Sequence, residues 1–273
     1  MLKQISTLEL GKSSTYEAEY NPDKLFAIAR KPKRDEIGIV DTAPFLGFDL
    51  WNHYEVSWLN AKGKPQVAIA EIFYDCNSTN IIESKSMKLY FNTFNNTRFA
   101  STDSLIQTIK NDISSRIGGD VMVKLLDVDT TSEISKFTGI CIDNLDIECD
   151  TYLVNPNLLQ TENERTQETL YSHLLKSNCL VTNQPDWASV QITYKGNKIN
   201  HESLLKYLIS FRNHNEFHEQ CIERIFMDIT RECKPEELTV YGRYTRRGGL
   251  DINPLRTSHA DKLVLNNLRL LRQ

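Results

Sequence analysis

From Gly47 onward, Phe48, Leu50, Tyr54, Val56 and Trp58 fall on alternate positions, interrupted by the polar Asn52; this is the period of a half-buried strand. Asn60-Ala61-Lys62-Gly63-Lys64-Pro65 turns the chain, and Val67 and Ile69 resume the extended pattern through Ile72 and Phe73, so the pair reads as a hairpin. A polar segment at 77–80 leads into a helix over 83–94. Thr102-Asp103 then caps a second helix whose buried face is marked by Leu105, Ile106, Ile109, Ile113 and Ile117, and Gly118-Gly119 stops it. Residues 121–128 and 137–147 supply two further strands, giving the first half the order strand, strand, helix, helix, strand, strand.

The second half repeats that order. Val190, Ile192 and Tyr194 alternate ahead of a turn at Lys195-Gly196-Asn197, and Asn200 caps a helix carrying Leu204, Leu205, Leu208 and Phe211. A second helix follows through Cys221, Ile222, Ile225, Phe226 and Ile229. Leu238, Val240, Gly242 and Tyr244 alternate as a strand, and Leu263, Val264, Leu268 and Leu270 close the chain after a loop punctuated by Gly and Pro. Residues 155–167 are polar and poor in apolar side chains, as a linker should be. The expectation is therefore an α+β protein with two modules, 1–158 and 159–273, each an antiparallel four-stranded sheet with two helices on one face. Open sheet edges of that kind favour closure through an oligomer.

Composition narrows the class. At 273 residues, with 40% hydrophobic and 25% charged side chains, the chain is ordinary globular protein with length for two modules. No run approaches the roughly 18 apolar residues of a membrane span, and the first residues lack a signal-peptide core, so a cytosolic protein is expected. A net charge of −4, from 32 basic and 36 acidic residues, gives no global attraction to nucleic acid. Six cysteines without regular spacing and without a C-x-x-C pair point to reduced thiols, not to disulfides or a zinc ribbon.

Cys179 differs from the other five. It lies in the polar, turn-forming surround Asn178, Thr182, Asn183, Gln184, Pro185 and Asp186, whereas Cys76, Cys141, Cys149, Cys221 and Cys233 lie in or beside apolar-periodic stretches that favour packing. A thiol acts as a nucleophile only as thiolate, so it needs a neighbour to take its proton, and Asp186 or His218 could serve. Lys85 and Lys88, three apart in Glu83-Ser84-Lys85-Ser86-Met87-Lys88-Leu89-Tyr90, read either as a solvated helix face or as phosphate ligands. Arg246-Arg247-Gly248-Gly249 reads either as an exposed turn or as a place where guanidinium and backbone approach a phosphate together. Neither a G-x-G-x-x-G after a strand nor a P-loop occurs. His214 and His218, four apart, could share a helix face as metal ligands, but the H-E-x-x-H order is absent and no metal is expected. On these residues a thiol hydrolase using Cys179 with His218 stays open beside covalent catalysis on a flat polar substrate, as do two readings that depend on the fold, a zinc enzyme acting on a pterin or purine and a non-catalytic purine-binding module.

Four segments together, Glu83 to Tyr90, the Cys179 to Asp186 loop, Phe217-His218-Glu219, and Gly242-Arg243-Tyr244-Thr245-Arg246-Arg247-Gly248-Gly249-Leu250-Asp251-Ile252-Asn253-Pro254, resemble the NADPH-dependent nitrile reductases of queuosine biosynthesis, the 7-cyano-7-deazaguanine reductases. The likeness spans nearly the whole chain and is to the long branch, in which two tunnelling-fold modules are joined within a homodimer. The resemblance implies that Cys179 attacks the nitrile carbon to give a thioimide and that Asp186 gives a proton to nitrogen. It implies that Ile81, Ile82, Glu83, His218 and Glu219 hold the deazaguanine while Phe217 covers its face. Ser84, Lys85, Lys88, Arg247 and Gly248 would contact NADPH, consumed as a co-substrate, with no metal and no direct contact with nucleic acid or membrane. The first half has no counterpart of the Cys179 loop or of Phe217-His218-Glu219, which implies one reactive centre per chain.

Overall fold

The computed structural model describes residues 17, 19–130, 133–263 and 267–273 and gives a mixed α+β protein rich in antiparallel pairing. Val264, one of the closing apolar positions, lies outside the described residues. The chain divides into two compact units. The first takes the chain through Lys33 with Asp49–Ser132 and Arg246–Asp251; the second takes Arg34–Phe48, Glu133–Thr245 and Ile252–Gln273.

In the first unit, strands β1 (Leu46–Leu59, of which the part from Asp49 belongs here), β2 (Pro65–Asp75) and β3 (Val121–Leu126) form a sheet in the order β3-β2-β1. The β1–β2 turn is closed by Asn60, whose backbone N–H donates to Lys64 O at 2.9 Å and whose Oδ1 accepts from the amides of Lys62 and Lys64. Helices α1 (Ser84–Asn92) and α2 (Thr102–Ile117) follow, and α2 packs on β3. The predicted face of α2 is the buried one: Leu105, Ile109, Ile113 and Ile117 are fully enclosed, each worth roughly 1.5–3 kcal/mol of burial, while Ile106 is half-buried. Its cap falls one residue before the expected Thr102-Asp103. Ser101 Oγ accepts from the Ser104 amide at 3.1 Å and Ser104 Oγ accepts from the Ser101 amide, while Gly118 ends the helix in the left-handed region at φ 67°.

The second unit holds β4 (Thr161–Ser172), β5 (Lys176–Asn178), β6 (Pro185–Ile199), α3 (His201–Ser210), α4 (His218–Cys233), β7 (Glu237–Tyr244) and β8 (Leu250–Thr257, from Ile252 onward). Its strands run in the order β8-β7-β6-β4, with β5 also pairing β6. Asn200 caps α3 as predicted, Oδ1 accepting from the Ser203 amide at 2.9 Å.

Four readings are corrected here. Thr161–Ser172, half of which fell in the predicted linker, is a strand. Residues 161–167 are polar because most of them are exposed, and the backbone of the strand pairs with β6 from Thr161 to Ser172. The predicted turn at Lys195-Gly196-Asn197 is instead the run-out of β6, which passes through a register shift between Asn197 and Ile199. A Cβ at Gly196 would lie 3.0 Å from Pro235 Cα, so glycine lets the neighbouring backbone close in. Leu250–Thr257, read as part of a loop punctuated by Gly248, Gly249 and Pro254, is a strand buried along its whole length. The strand expected over 137–147 shrinks to Ile140–Cys141, which pairs in parallel with Leu170 and Tyr171 on the outer edge of β4. Gly139 permits that approach: it sits at φ 106°, and a Cβ there would meet Thr169 O at 2.2 Å.

Candidate active site

In the second unit, β5 and β6 form a tight antiparallel neck. Asn178 pairs with Pro185 and Ser177 with Asp186, and beyond the strand end the Cys179 amide donates to Gln184 O at 2.8 Å. Directly opposed residues of such a ladder share a face and alternate residues return to it, so Cys179 and Asp186 project to the same side as diagonal neighbours, roughly 7–8 Å apart in ordinary ladders. The loop between them is fixed by Asn183 at φ 55°, by the Asn183 amide donating to Cys179 O at 3.1 Å, and by Asn215 Nδ2, which donates to Cys179 O at 3.2 Å and to Asn183 Oδ1. Cys179 lies on a turn as its polar surround suggested, yet it is buried, at 3% exposure.

Helix α4 begins beside this neck. Phe217 is its N-cap and is half-buried, while His218 and Glu219, its first two residues, are buried. His218 Nε2 stands 3.3 Å from Asp186 Oδ2. Neither imidazole nitrogen makes an aligned hydrogen bond among the described residues. The imidazole is stacked instead on Tyr244, centroids 3.8 Å apart and planes 6° from parallel. Behind Tyr244, burial pushes the Cys221 thiol up to about 12, with the Glu216 charge adding to it. A thiol held that high is protonated near neutral pH, in keeping with the packing role read for Cys221. His214 and His218 do not share a helix: His214 precedes α4 and its Nε2 lies 3.0 Å from Glu216 Oε2. Among the described residues, no group of three His, Cys, Asp or Glu side chains could hold a metal ion.

The first unit carries the other predicted residues. Ile81 and Ile82 are buried in a short strand (Asn80–Ile82) that pairs antiparallel with Ala27–Ala29 and delivers Glu83 to the start of α1. Glu83 caps that helix: its carboxylate accepts from the amides of Lys85 at 2.9 Å and Ser86 at 2.7 Å. Burial raises the pKa of Glu83, against the lowering effect of those amides and of the Arg247 charge. Ser84 and Lys85 form the first turn of α1, and Lys88, one turn on, pairs with Glu55 at 3.2 Å on the surface, an interaction of low strength. The Arg246–Asp251 segment is tied to β1: Gly249 O accepts from the Tyr54 amide at 2.9 Å and lies 3.1 Å from His53 Nδ1. Asp251 accepts from Asn52 Nδ2 at 2.8 Å and from the Tyr54 hydroxyl at 2.7 Å, and the Arg246 guanidinium covers the Tyr54 ring at 3.6 Å. This fastening presents Arg247 and the exposed Gly248, at φ 60°, with the Lys88 side chain alongside: a Cβ at Gly248 would lie 3.0 Å from Lys88 Cδ. The Arg247 and Lys88 side chains thus lie beside exposed backbone at Gly248, the combination the sequence offered as a phosphate site. Tyr244, Asn215 and Glu216 had no assigned role in the sequence reading. Tyr244 was visible there as one member of a strand alternation and within the Gly242 to Pro254 segment, with no part given to its ring.

The chain matches two families, one described as "Nitrile reductase, 7-cyano-7-deazaguanine-reductase N-term" over residues 16–125 and one described as "QueF-like protein" over residues 185–262. Glu83 to Lys88 fall in the first match; Asp186, Phe217 to Glu219, Arg247 and Gly248 fall in the second; Cys179 lies between them. It is 62% identical over 269 residues to the NADPH-dependent 7-cyano-7-deazaguanine reductase of Legionella pneumophila strain Lens, covering 97% of this chain and 94% of that one. Reductases of the same name from Cupriavidus necator and Ralstonia nicotianae are 58% and 56% identical over 258 and 255 residues, each match covering 91% of this chain and 92% of theirs. An α+β fold with a buried thiol and carboxylate on one hairpin thus meets relatives that are NADPH-dependent oxidoreductases acting on a nitrile. The chain belongs to the 7-cyano-7-deazaguanine reductase family. Among the described residues, no helix is long and apolar enough to cross a membrane.

Proposed function

We propose that this protein reduces the nitrile of 7-cyano-7-deazaguanine to the primary amine, 7-aminomethyl-7-deazaguanine, through a covalent bond to Cys179, as a step of queuosine biosynthesis. The observation that carries the reading is the β5–β6 neck, which sets Cys179 and Asp186 on one face with His218 Nε2 3.3 Å from that aspartate. As Cys179 Sγ bonds to the nitrile carbon, one π bond of C≡N moves onto nitrogen as an electron pair. Asp186 gives nitrogen its proton, and the proton of the attacking thiol is taken up by the Asp186–His218 pair, so a neutral thioimide forms. When bound, NADPH supplies hydride, and reduction from nitrile to amine consumes two. Glu83 and Glu219 accept from the amide and amino donors of the guanine-like edge, since an ionised carboxylate is acceptor-only and bridges two N–H groups. Ile81 and Ile82 position the strand that delivers Glu83, His218 supports the same edge, and Phe217 covers the base. Ser84, Lys85, Lys88, Arg247 and Gly248 hold the cofactor phosphates. The enclosure keeps water from the reactive carbon–nitrogen double bonds between the two reductions. Tandem tunnelling-fold modules, a homodimer and a cytoplasmic setting complete the reading; the modules are supported by the second unit, where two helices lie between the antiparallel pairs β4–β6 and β7–β8.

The test is intact-mass measurement after incubation with 7-cyano-7-deazaguanine, with and without NADPH, alongside cofactor absorbance. An adduct of the nitrile's mass without NADPH, cleared as NADPH is oxidised and amine appears, is expected, and Cys179→Ala is expected to lack it while still binding ligand. Carboxylic acid formed without NADPH oxidation would instead make the protein a thiol hydrolase.

A further inference from the structure

An imidazole inside a protein is normally oriented by a hydrogen bond to one of its nitrogens, which fixes both ring plane and tautomer. His218 is 4% exposed, and among the described residues neither of its nitrogens has an aligned hydrogen bond. What touches the ring over its whole face is Tyr244, at 3.8 Å and 6°. That tyrosine is fully buried at the end of β7, paired with Ala188 of β6, and its carbonyl accepts from Gln273 Nε2 at 2.9 Å. Because Ala188 stands two residues after Asp186, the register puts Tyr244 and Asp186 on the same face of the sheet, with the His218 ring laid against one and its Nε2 edge turned to the other. The tyrosine hydroxyl makes no aligned hydrogen bond among the described residues, so the ring face is what it offers His218.

We propose that Tyr244 is a positioning residue: its ring face sets the plane of His218 and so holds Nε2 against Asp186 in the reaction described above. The inference rests on that reading for its kinetic consequence, although the stack can be measured without it. A flat, electron-rich face fixes the tilt of an imidazole while leaving both nitrogens able to exchange protons, which a hydrogen-bonded orienter would not.

The experiment is proton NMR of the histidine ring resonances, with His218 identified by the loss of its signals in His218→Gln, together with steady-state kinetics. In the unsubstituted protein the His218 carbon-bound ring protons should be displaced upfield of those of the other histidines by the tyrosine ring. Tyr244→Phe keeps the ring and should retain both the displacement and turnover within about threefold. Tyr244→Leu should lose the displacement and lower kcat by roughly tenfold to a hundredfold, with the NADPH KM little moved, as expected when a reacting group loses its alignment. Undisplaced resonances in the unsubstituted protein, or a Tyr244→Phe variant that loses turnover, overturn the proposal, and these two measurements decide it even if Tyr244→Leu does not fold. A folded Tyr244→Leu with full turnover overturns it as well. Full turnover in His218→Gln would instead overturn the catalytic reading, an outcome told apart from failure of the stack by the resonances themselves.

Discussion

Glu216 is two residues from His218, and its replacement by Gln should be felt both in stability and at the site. Its carboxylate is 1% exposed and accepts from Arg224 Nε at 2.9 Å and Nη2 at 2.6 Å, with His214 Nε2 3.0 Å away. Burial alone would raise its pKa; the His214 and Arg224 hydrogen bonds and charges outweigh that and bring it down from 4.5 to about 2. At about 1.36 kcal/mol per pH unit, the difference amounts to about 3 kcal/mol of folding stability. The folded value is the lower one, so this stability is complete above the unfolded value of 4.5 and drains away as pH falls toward 2. Roughly 1.4 kcal/mol of it should remain at pH 3. Glu216→Gln should therefore lower the melting temperature at pH 7 by roughly 6–12 °C, and its deficit should fall below half by pH 3. Thermal and urea melts of both proteins at pH 7 and pH 3 read this directly. A variant melting within about 2 °C of the parent at pH 7, or one equally destabilised at both pH values, would refute the account of Glu216 as an ion-pair anchor. The same segment grips the thiol loop, since the Asn178 amide donates to His214 O at 2.7 Å and the Glu216 amide donates to Asn178 O at 3.1 Å. Slower thioimide formation well below the melt is thus expected in the same variant.

Three further outcomes follow from local geometry. Glu83→Ala removes the α1 cap at a cost of about 1 kcal/mol and should sharply raise the substrate KM. Because the folded pKa of Glu83 is raised, its contribution to stability declines as pH rises above 4.5, so the stability deficit of the variant should be larger at pH 4 than at pH 8 in urea melts. Gly248→Ala places a side chain at φ 60° beside Lys88; NADPH titration by fluorescence should show weaker binding, with a stability loss of roughly 1–2 kcal/mol. Gly139→Ala meets Thr169 O at φ 106° and should cost about 1–3 kcal/mol in melts without changing the NADPH KM.

What the sequence revealed followed from periodicity and caps; what it concealed was decided by pairing. Leu105, Ile109, Ile113 and Ile117 declare α2 because burial on one side leaves a 3.6-residue rhythm in the chain. Thr161–Ser172 leaves no such rhythm, since its stability resides in backbone bonds to β6 that no side chain records. Leu250–Thr257 is hidden for the opposite reason: it is buried on both sides, so Asp251, Asn253, Pro254 and Arg256 interrupt it with polar groups and a proline that find partners only in three dimensions. Arg256, for one, donates to Glu223 Oε1 at 2.9 Å from Nη2 and to Phe48 O at 3.0 Å from Nη1. The site splits the same way. The polar surround of Cys179 marked the loop, whereas the Tyr244 face beneath His218 depends on the Ala188 register and could not be read from spacing.

Burial alone does not tell a structural carboxylate or thiol in this fold from a reacting one; the compensation each receives does. Glu216 and Glu83 are both almost fully enclosed, yet a guanidinium and an imidazole hold Glu216 near 2, while Glu83, supported by two helix amides, is raised. Glu216 is thereby fixed as an anion at any pH where the protein works and can only anchor. Glu83 has no such cation hydrogen-bonded to it, so burial outweighs the helix amides and the more distant Arg247 charge and its pKa is raised, which fits the proposed place of its carboxylate at a donor-rich base edge. The thiols follow the same logic. Cys221 and Cys233 are both pushed up to about 12 by burial, so near neutral pH they are packing groups. Cys179 is as buried as Cys233, but it sits on a hairpin whose geometry turns it to the same face as Asp186, and that shared face, more than enclosure, is what supports the proposed nucleophile.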